Sequence, residues 1–271
     1  MEFHVPFFRY PDIHEFSDVK TWRVIDPDQC IRTGDILLFS ASGLVSSIIK
    51  LFTVSRWNHI GMACWCEMEH FDGRKTVDIF SFELGSQPYT DLMTRKLADK
   101  EVRLVRFADI AGMYDMIAVR KINSVRKSRS EKEQWSERFQ RFMLRWKKTP
   151  FFDISVLIKN NLLTCGAPKD QTTCSQIAGQ MLEHMDIFKL NFDPSQLCPN
   201  DFTCEAKAFP EQVFSGKETV VYRHDRWINA RLFFIFLVLI VALIILIIII
   251  RKCSRKGFAS KSFQSGSKPK A

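Results

Sequence analysis

Residues 232–250 read LFFIFLVLIVALIILIIII, nineteen positions without a polar or charged side chain, and no other stretch constrains the chain so strongly. As a helix rising ~1.5 Å per residue the run would measure ~28 Å, close to the hydrocarbon thickness of a bilayer. A core helix of that length normally keeps a polar face, whereas this run is apolar on all sides. Arg231 precedes it, Arg251 and Lys252 follow it, and Trp227 stands where an indole favours the membrane interface. The expectation is a single transmembrane helix over 232–250.

Two arguments bear on its orientation, and they oppose each other. Arg251, Lys252, Arg255, Lys256, Lys261, Lys268 and Lys270 follow the run with no acid among them, which by the positive-inside rule favours a cytosolic tail and translocation of everything before the span. The opening MEFHVPFFRYPDIHEF, however, lacks the basic and then apolar regions of a signal peptide, and the chain contains no Asn-x-Ser/Thr sequon. A span so near the C-terminus is inserted once synthesis is essentially complete. On that ground the expected arrangement is a tail anchor with the large domain in the cytosol.

The net charge of +9 is unevenly spread. Residues 120–148 hold eleven Lys/Arg against Glu131, Glu133 and Glu137, and the tail holds seven more, so the remainder is mildly acidic. That distribution argues against a nucleic-acid surface and points to membrane lipids with anionic headgroups as partners. Eight cysteines at irregular spacing do not form a disulfide scaffold. Cys64-x-Cys66 with His70 nearby invites a zinc reading, but no second ligand pair follows at finger-like spacing, and no metal or cofactor is expected. Cys198 and Cys204 could pair in an oxidising compartment, and Cys253 is a candidate for palmitoylation.

The expected organisation is an N-terminal arm (1–30), a catalytic domain (31–215), a juxtamembrane linker (216–231), the transmembrane helix (232–250) and a basic disordered tail (251–271). Within the domain, strands are expected over 36–39, 58–66, 76–83 and 102–107, with Asp72-Gly73 turning the chain between the second and third. A short apolar helix is expected over 44–52. Trp135, Phe139, Phe142 and Trp146 recur at helical spacing over 130–147, opposite a basic face. Further helices are expected over 153–163 and from Cys174 onward.

The chemistry gathers on three residues. Thr173 and Gln176 have the spacing of a capping box, which puts Cys174 in a first helical turn, where free N–H groups and the helix dipole favour a thiolate. In Asn58-His59-Ile60-Gly61, strand alternation puts His59 on one face beside Gly61 and Ala63, small residues that leave room at the imidazole. Glu83 ends the strand that pairs with the one carrying His59, so its carboxylate could orient the ring.

As an ordered set, Gly34-Asp35-Ile36-Leu37-Leu38-Phe39, Trp57-Asn58-His59-Ile60-Gly61, Phe82-Glu83, Pro150-Phe151-Phe152-Asp153 and Thr173-Cys174-Ser175-Gln176 resembles the circularly permuted branch of the NlpC/P60 papain-like superfamily, most nearly the YiiX-like group and its poxviral relatives. Pro194-Ser195-Gln196-Leu197 also looks like a segment of that group. The resemblance spans 31–201. It implies an α+β fold with an antiparallel sheet packed on helices, with Cys174 as nucleophile, His59 as general base and Glu83 as orienting acid. The expected function is a membrane-anchored thiol hydrolase or acyltransferase that cuts an amide or ester through a thioester. A lipid-linked substrate fits the anchor, although the Asn-Cys-Glu-His motif of the related lecithin:retinol acyltransferase group is absent. The alternatives are an amidase or peptidase on peptide-like substrates, and an inactive membrane-bound adaptor.

Overall fold

The computed structural model describes residues 16–223 except 54, 86, 87, 125, 127, 148, 151–171 and 207, with the backbone alone at 44, 45, 48 and 52. Its spine is β3 (His59–His70), twelve residues with alternate side chains sent to opposite faces. One edge of β3 pairs along nearly its whole length with β4 (Lys75–Leu84), after a turn in which Gly73 takes φ 81°. The other edge is shared. β2 (Ile36–Ser40) pairs with its first residues, and β1 (Val19–Ile25) pairs with its last.

β7 (Val102–Arg106) extends the sheet beyond β4, while β8 (Met116–Ile122) and β9 (Phe214–Arg223) extend it beyond β2, every pairing being antiparallel. A separate small hairpin joins β5 (Tyr89–Asp91) to β6 (Lys96–Ala98). The α-helices among the described residues are α1 (Leu44–Phe52), α2 (Phe107–Ala111), α3 (Arg129–Trp146) and α4 (Cys174–His184).

Both faces of the sheet are buried. On one, Ile36, Leu38, Ile60, Met62, Phe82 and Leu104 meet Phe139 and Phe142 of α3 and Ile177, Met181 and Leu182 of α4. On the other, Leu37, Phe39, Ala63, Val105, Ile117 and Val119 meet Phe107 and Ile110 of α2. Strands covered on both sides read as continuous apolar runs, which is why β2 is buried at all five positions. The apolar stripe expected on α3 is the one that packs. Its polar face is engaged by ion pairs, Lys132 with Asp28 and Arg138 with Asp186.

Motif residues outside the chemistry have structural work. Gly34, at φ 98°, lies under the Trp135 indole, where a Cβ would come within 3.1 Å of the ring. The buried Asp35 carboxylate accepts the Arg32 and Ile122 N–H groups at 2.8 and 3.0 Å. Asn58 ties β3 back to the end of β2, accepting the Ala41 N–H at 2.7 Å and donating to Ser46 at 3.2 Å. Leu197, just after the turn Pro194–Gln196, seats against Gly179 of α4, where a Cβ would lie 2.3 Å from its methyl.

The expectation of an α+β domain with a transmembrane helix is corrected. The described architecture is mostly antiparallel sheet with few helices, because β1, β8 and β9 lie in stretches read as arm, unassigned chain and linker. Among the described residues no helix is long and apolar enough to cross a membrane. Residues 232–250 lie outside the described residues, so the single-pass, tail-anchored assignment and the localisation built on it have no structural support. The helix expected over 153–163 also lies outside them.

Candidate functional site

Antiparallel pairing brings the start of β3, the end of β2, the end of β4 and the start of β7 to one end of the sheet. Phe39 pairs directly with His59, Gly61 with Glu83, and Glu83 with Arg103. These residues share the face that also carries Ala63 and Val105, so one row of side chains runs across four strands. Gly61 keeps the row close. A Cβ there would lie 2.4 Å from Ser81 Oγ and 3.4 Å from Glu83 Cβ.

α4 packs across β3 from the other face, with its first residue, Cys174, at this end of the sheet. Thr173 caps the helix by accepting the Gln176 N–H at 3.1 Å. The capping box is half made, since Gln176 Oε1 is buried without a partner among the described residues. Cys174 is half-buried and reduced.

Cys174 and His59 are neighbours close enough for each to shift the other's protonation, with the Ile60 N–H and the Ser175 hydroxyl also acting on the sulfur. His59 Nε2 lies 3.1 Å from Glu83 Oε2, which leaves Nδ1 for the cysteine. The ring is 13 % exposed and rests on Phe39, with centroids 5.3 Å apart. Tyr114 stacks parallel to it at 6.1 Å. On the far side of Glu83, Arg103 Nη2 donates to Oε1 at 2.9 Å.

The electrostatics follow from this enclosure. Burial works against a charged His59, but the Cys174 thiolate and the Glu83 carboxylate outweigh it and push the imidazole up to about 10. Burial likewise opposes ionised Cys174, yet His59 and the N–H of Ile60 bring the thiol below its ordinary value. Burial would also raise Glu83, but His59 and Arg103 hold it down at about 2. All three causes favour a thiolate–imidazolium pair beside a carboxylate.

The three residues singled out from the sequence are therefore brought together. Sequence reasoning missed Arg103 and Tyr114. Arg103 had a signal, a charged residue between Val102 and Leu104 in a strand otherwise buried up to its last residue, while Tyr114 sits in a loop with no periodicity to mark it. Among the described residues no cluster of three His, Cys, Asp or Glu side chains could hold a metal. Cys64 and Cys66 lie with sulfurs 3.6 Å apart in the core, and His70 is engaged by Asp18 and Thr76.

No family model matches the chain, and no curated protein does. The chain is similar to the metalloprotein yiiX of Escherichia coli O157:H7, a DUF1105 protein. The identity is 14 %, the match covers 72 % of this chain and 99 % of that one, and the TM-score is 0.41. YiiX represents the group that the motifs of this chain resemble. The likeness does not reach the wider permuted NlpC/P60 assignment, and at this TM-score it carries no argument about the site.

Proposed function

We propose that this chain is a cysteine-dependent hydrolase acting on an amide or ester carbonyl. The observation that supports the reading is the convergence of Cys174, His59 and Glu83 at the N-terminus of a capped helix, with His59 Nε2 3.1 Å from Glu83 Oε2 and the thiol beside the imidazole, each acting on the other's protonation. A thiol beside an imidazole that a buried carboxylate holds from behind is an arrangement that activates a nucleophile.

In the reaction the Cys174 thiolate adds to the carbonyl carbon, forming a C–S bond and moving an electron pair onto oxygen. Backbone N–H groups in the first turn of α4, that of Cys174 included, are the donors for that oxyanion. The imidazolium of His59 gives its proton to the leaving amine or alkoxide as the C–N or C–O bond breaks. Water then adds to the thioester while His59 takes its proton, and the acid departs as the thiolate re-forms. Glu83 stays ionised throughout and holds the imidazole by Nε2. The resemblance to the permuted NlpC/P60 group, read from the ordered motifs, agrees with this acyl chemistry.

The test uses an electrophilic thiol probe, iodoacetamide-alkyne, on the full chain at pH 6.5. Wild type is expected to label at Cys174, and His59→Ala to label there at least about tenfold more slowly. Equal labelling of the two would overturn the reading. A panel of nitrophenyl esters and peptide nitroanilides then distinguishes ester from amide substrates, and an absence of turnover on both, with Cys174 labelling intact, would count against hydrolysis.

A further inference from the structure

Behind Glu83, at the second residue of β7, Arg103 is 2 % exposed, and Glu83 itself is fully enclosed. Both Nη2 and Nε of Arg103 donate to the same carboxylate oxygen, Oε1, at 2.9 and 3.3 Å. The other oxygen, Oε2, takes His59 Nε2 at 3.1 Å. The carboxylate is thus divided, one oxygen to each cation. The guanidinium sits 5.1 Å from the Tyr89 ring centroid and lies against the backbone of Gly85, where a Cβ would fall 1.9 Å from Nη2 and 2.1 Å from Cζ. Glu83 and Arg103 are direct cross-strand partners, so the sheet register fixes their approach.

Enclosing an arginine and a glutamate is expensive, and apolar residues of similar volume often serve stability as well or better. A carboxylate touching the imidazole alone could rotate away, or take the proton from the ring, since an enclosed acid and a protonated base favour the neutral pair. A fixed cation on the opposite oxygen prevents both. It pins the rotation and keeps the acid ionised, as does the His59 contact.

We propose that Arg103 is a positioning residue of the site, holding Glu83 as an anion with Oε2 aimed at His59 so that the imidazole keeps its proton and Cys174 stays a thiolate. The proposal rests on the reading of Cys174 and His59 as a reactive pair. The charged and titratable groups around Glu83 are His59 from β3, Arg103 from β7, Tyr89 from β5, Tyr114 beyond α2 and Cys174 from α4. Asp109 of α2 acts on Tyr89. Of these groups Arg103 alone is a guanidinium, and it meets the carboxylate through two N–H donors in a fixed planar fork.

The experiment measures the rate of Cys174 modification by iodoacetamide between pH 4 and pH 9.5 by mass spectrometry of the full chain. Wild type, Arg103→Met, Arg103→Lys and Gly85→Ala are compared, with folding followed by circular dichroism. The wild-type inflection is expected well below that of a free thiol, about 8.5. In Arg103→Met it should move up by about one unit or more, which makes modification about tenfold slower or more at pH values below both inflections. Arg103→Lys should fall between the two. Gly85→Ala, which displaces the guanidinium without removing it, should follow Arg103→Met. A wild-type inflection of an ordinary thiol overturns the reactive pair and this proposal with it. A low wild-type inflection that stays in place in folded Arg103→Lys and Gly85→Ala, even with a lower melting temperature, overturns the positioning role alone.

Discussion

Replacing Glu83 by glutamine keeps the shape of the side chain and removes the charge that two cations share. The glutamine oxygen can accept from His59 or from Arg103, and its amide then turns an N–H toward the other donor. Burial alone would raise the Glu83 carboxyl, yet the His59 hydrogen bond and Arg103 bring it from 4.5 to about 2. A group whose native value is depressed stabilises the fold above its unfolded value, and that stabilisation is lost as pH falls through the native value. Here it is present above pH 4.5 and disappears toward pH 2. The size of the shift corresponds to roughly 3 kcal/mol at neutral pH, within the range for breaking a buried ion pair.

For a domain of this size that difference is a fall in Tm of about 6–12 °C. Urea unfolding followed by tryptophan fluorescence, with Trp57 and Trp135 buried as reporters, measures it directly. The gap between wild type and Glu83→Gln should narrow by about 1 kcal/mol between pH 6 and pH 3.5, as the unfolded wild-type chain takes up a proton at Glu83 while the native one does not yet. A gap below about 1 kcal/mol at pH 6, or one that does not narrow on acidification, would refute the assignment of Glu83 as an ionised partner of two cations.

Other outcomes follow from the same geometry. Gly61→Ala must displace Ser81 or Phe39 beside the imidazole, and should cost about 1–3 kcal/mol in urea unfolding while slowing Cys174 labelling. Thr173→Ala removes the α4 cap and should cost about 1 kcal/mol, with a higher inflection for Cys174 modification, since the first turn loses its order. His59 is raised from 6.5 to about 10, so its stabilisation is complete below pH 6.5 and lost as pH rises through about 10. Wild type should therefore lose stability relative to His59→Gln across that window, as seen in melts at pH 6, 8 and 10. In a double-mutant cycle, Glu83→Gln with Arg103→Met should cost less than the sum of the single changes by about 2 kcal/mol, because each single variant strands the other's charge.

The parts of the fold legible in the sequence are those with a single strong period. The apolar run of β2, the stripe of α3 at Trp135, Phe139 and Phe142, and the cap at Thr173 each specify one local structure, and each forms. β9 was hidden for a physical reason: as an edge strand it buries little, and Lys217, Glu218 and Thr219 give it the composition of a linker. β1 is similar, with Lys20, Thr21 and Arg23 exposed around a few buried positions. β8, Met116–Ile122, carries Arg120 and Lys121 in its second half, which masks a strand buried at most of its positions. The candidate site was legible at Cys174, His59 and Glu83 because each sits where an element begins or ends. Arg103 required the β4–β7 register, which no local pattern supplies.

That register explains why the charges occur together. Once Glu83 faces inward from a strand covered on both sides, no water can solvate it, and its charge needs partners supplied by the neighbouring strands. β3 supplies His59 through a diagonal contact past Gly61, and β7 supplies Arg103 directly across. The glycines at 61 and 85 open the space that each partner occupies. Removing either partner leaves a buried carboxylate half-paired, so the row forms as a unit. The thiol that meets its open end on α4 therefore faces an imidazole whose charge is fixed by two strands behind it. On the proposed reading, the buried row is what sets Cys174 apart from Cys64 and Cys66, which only pack in the core.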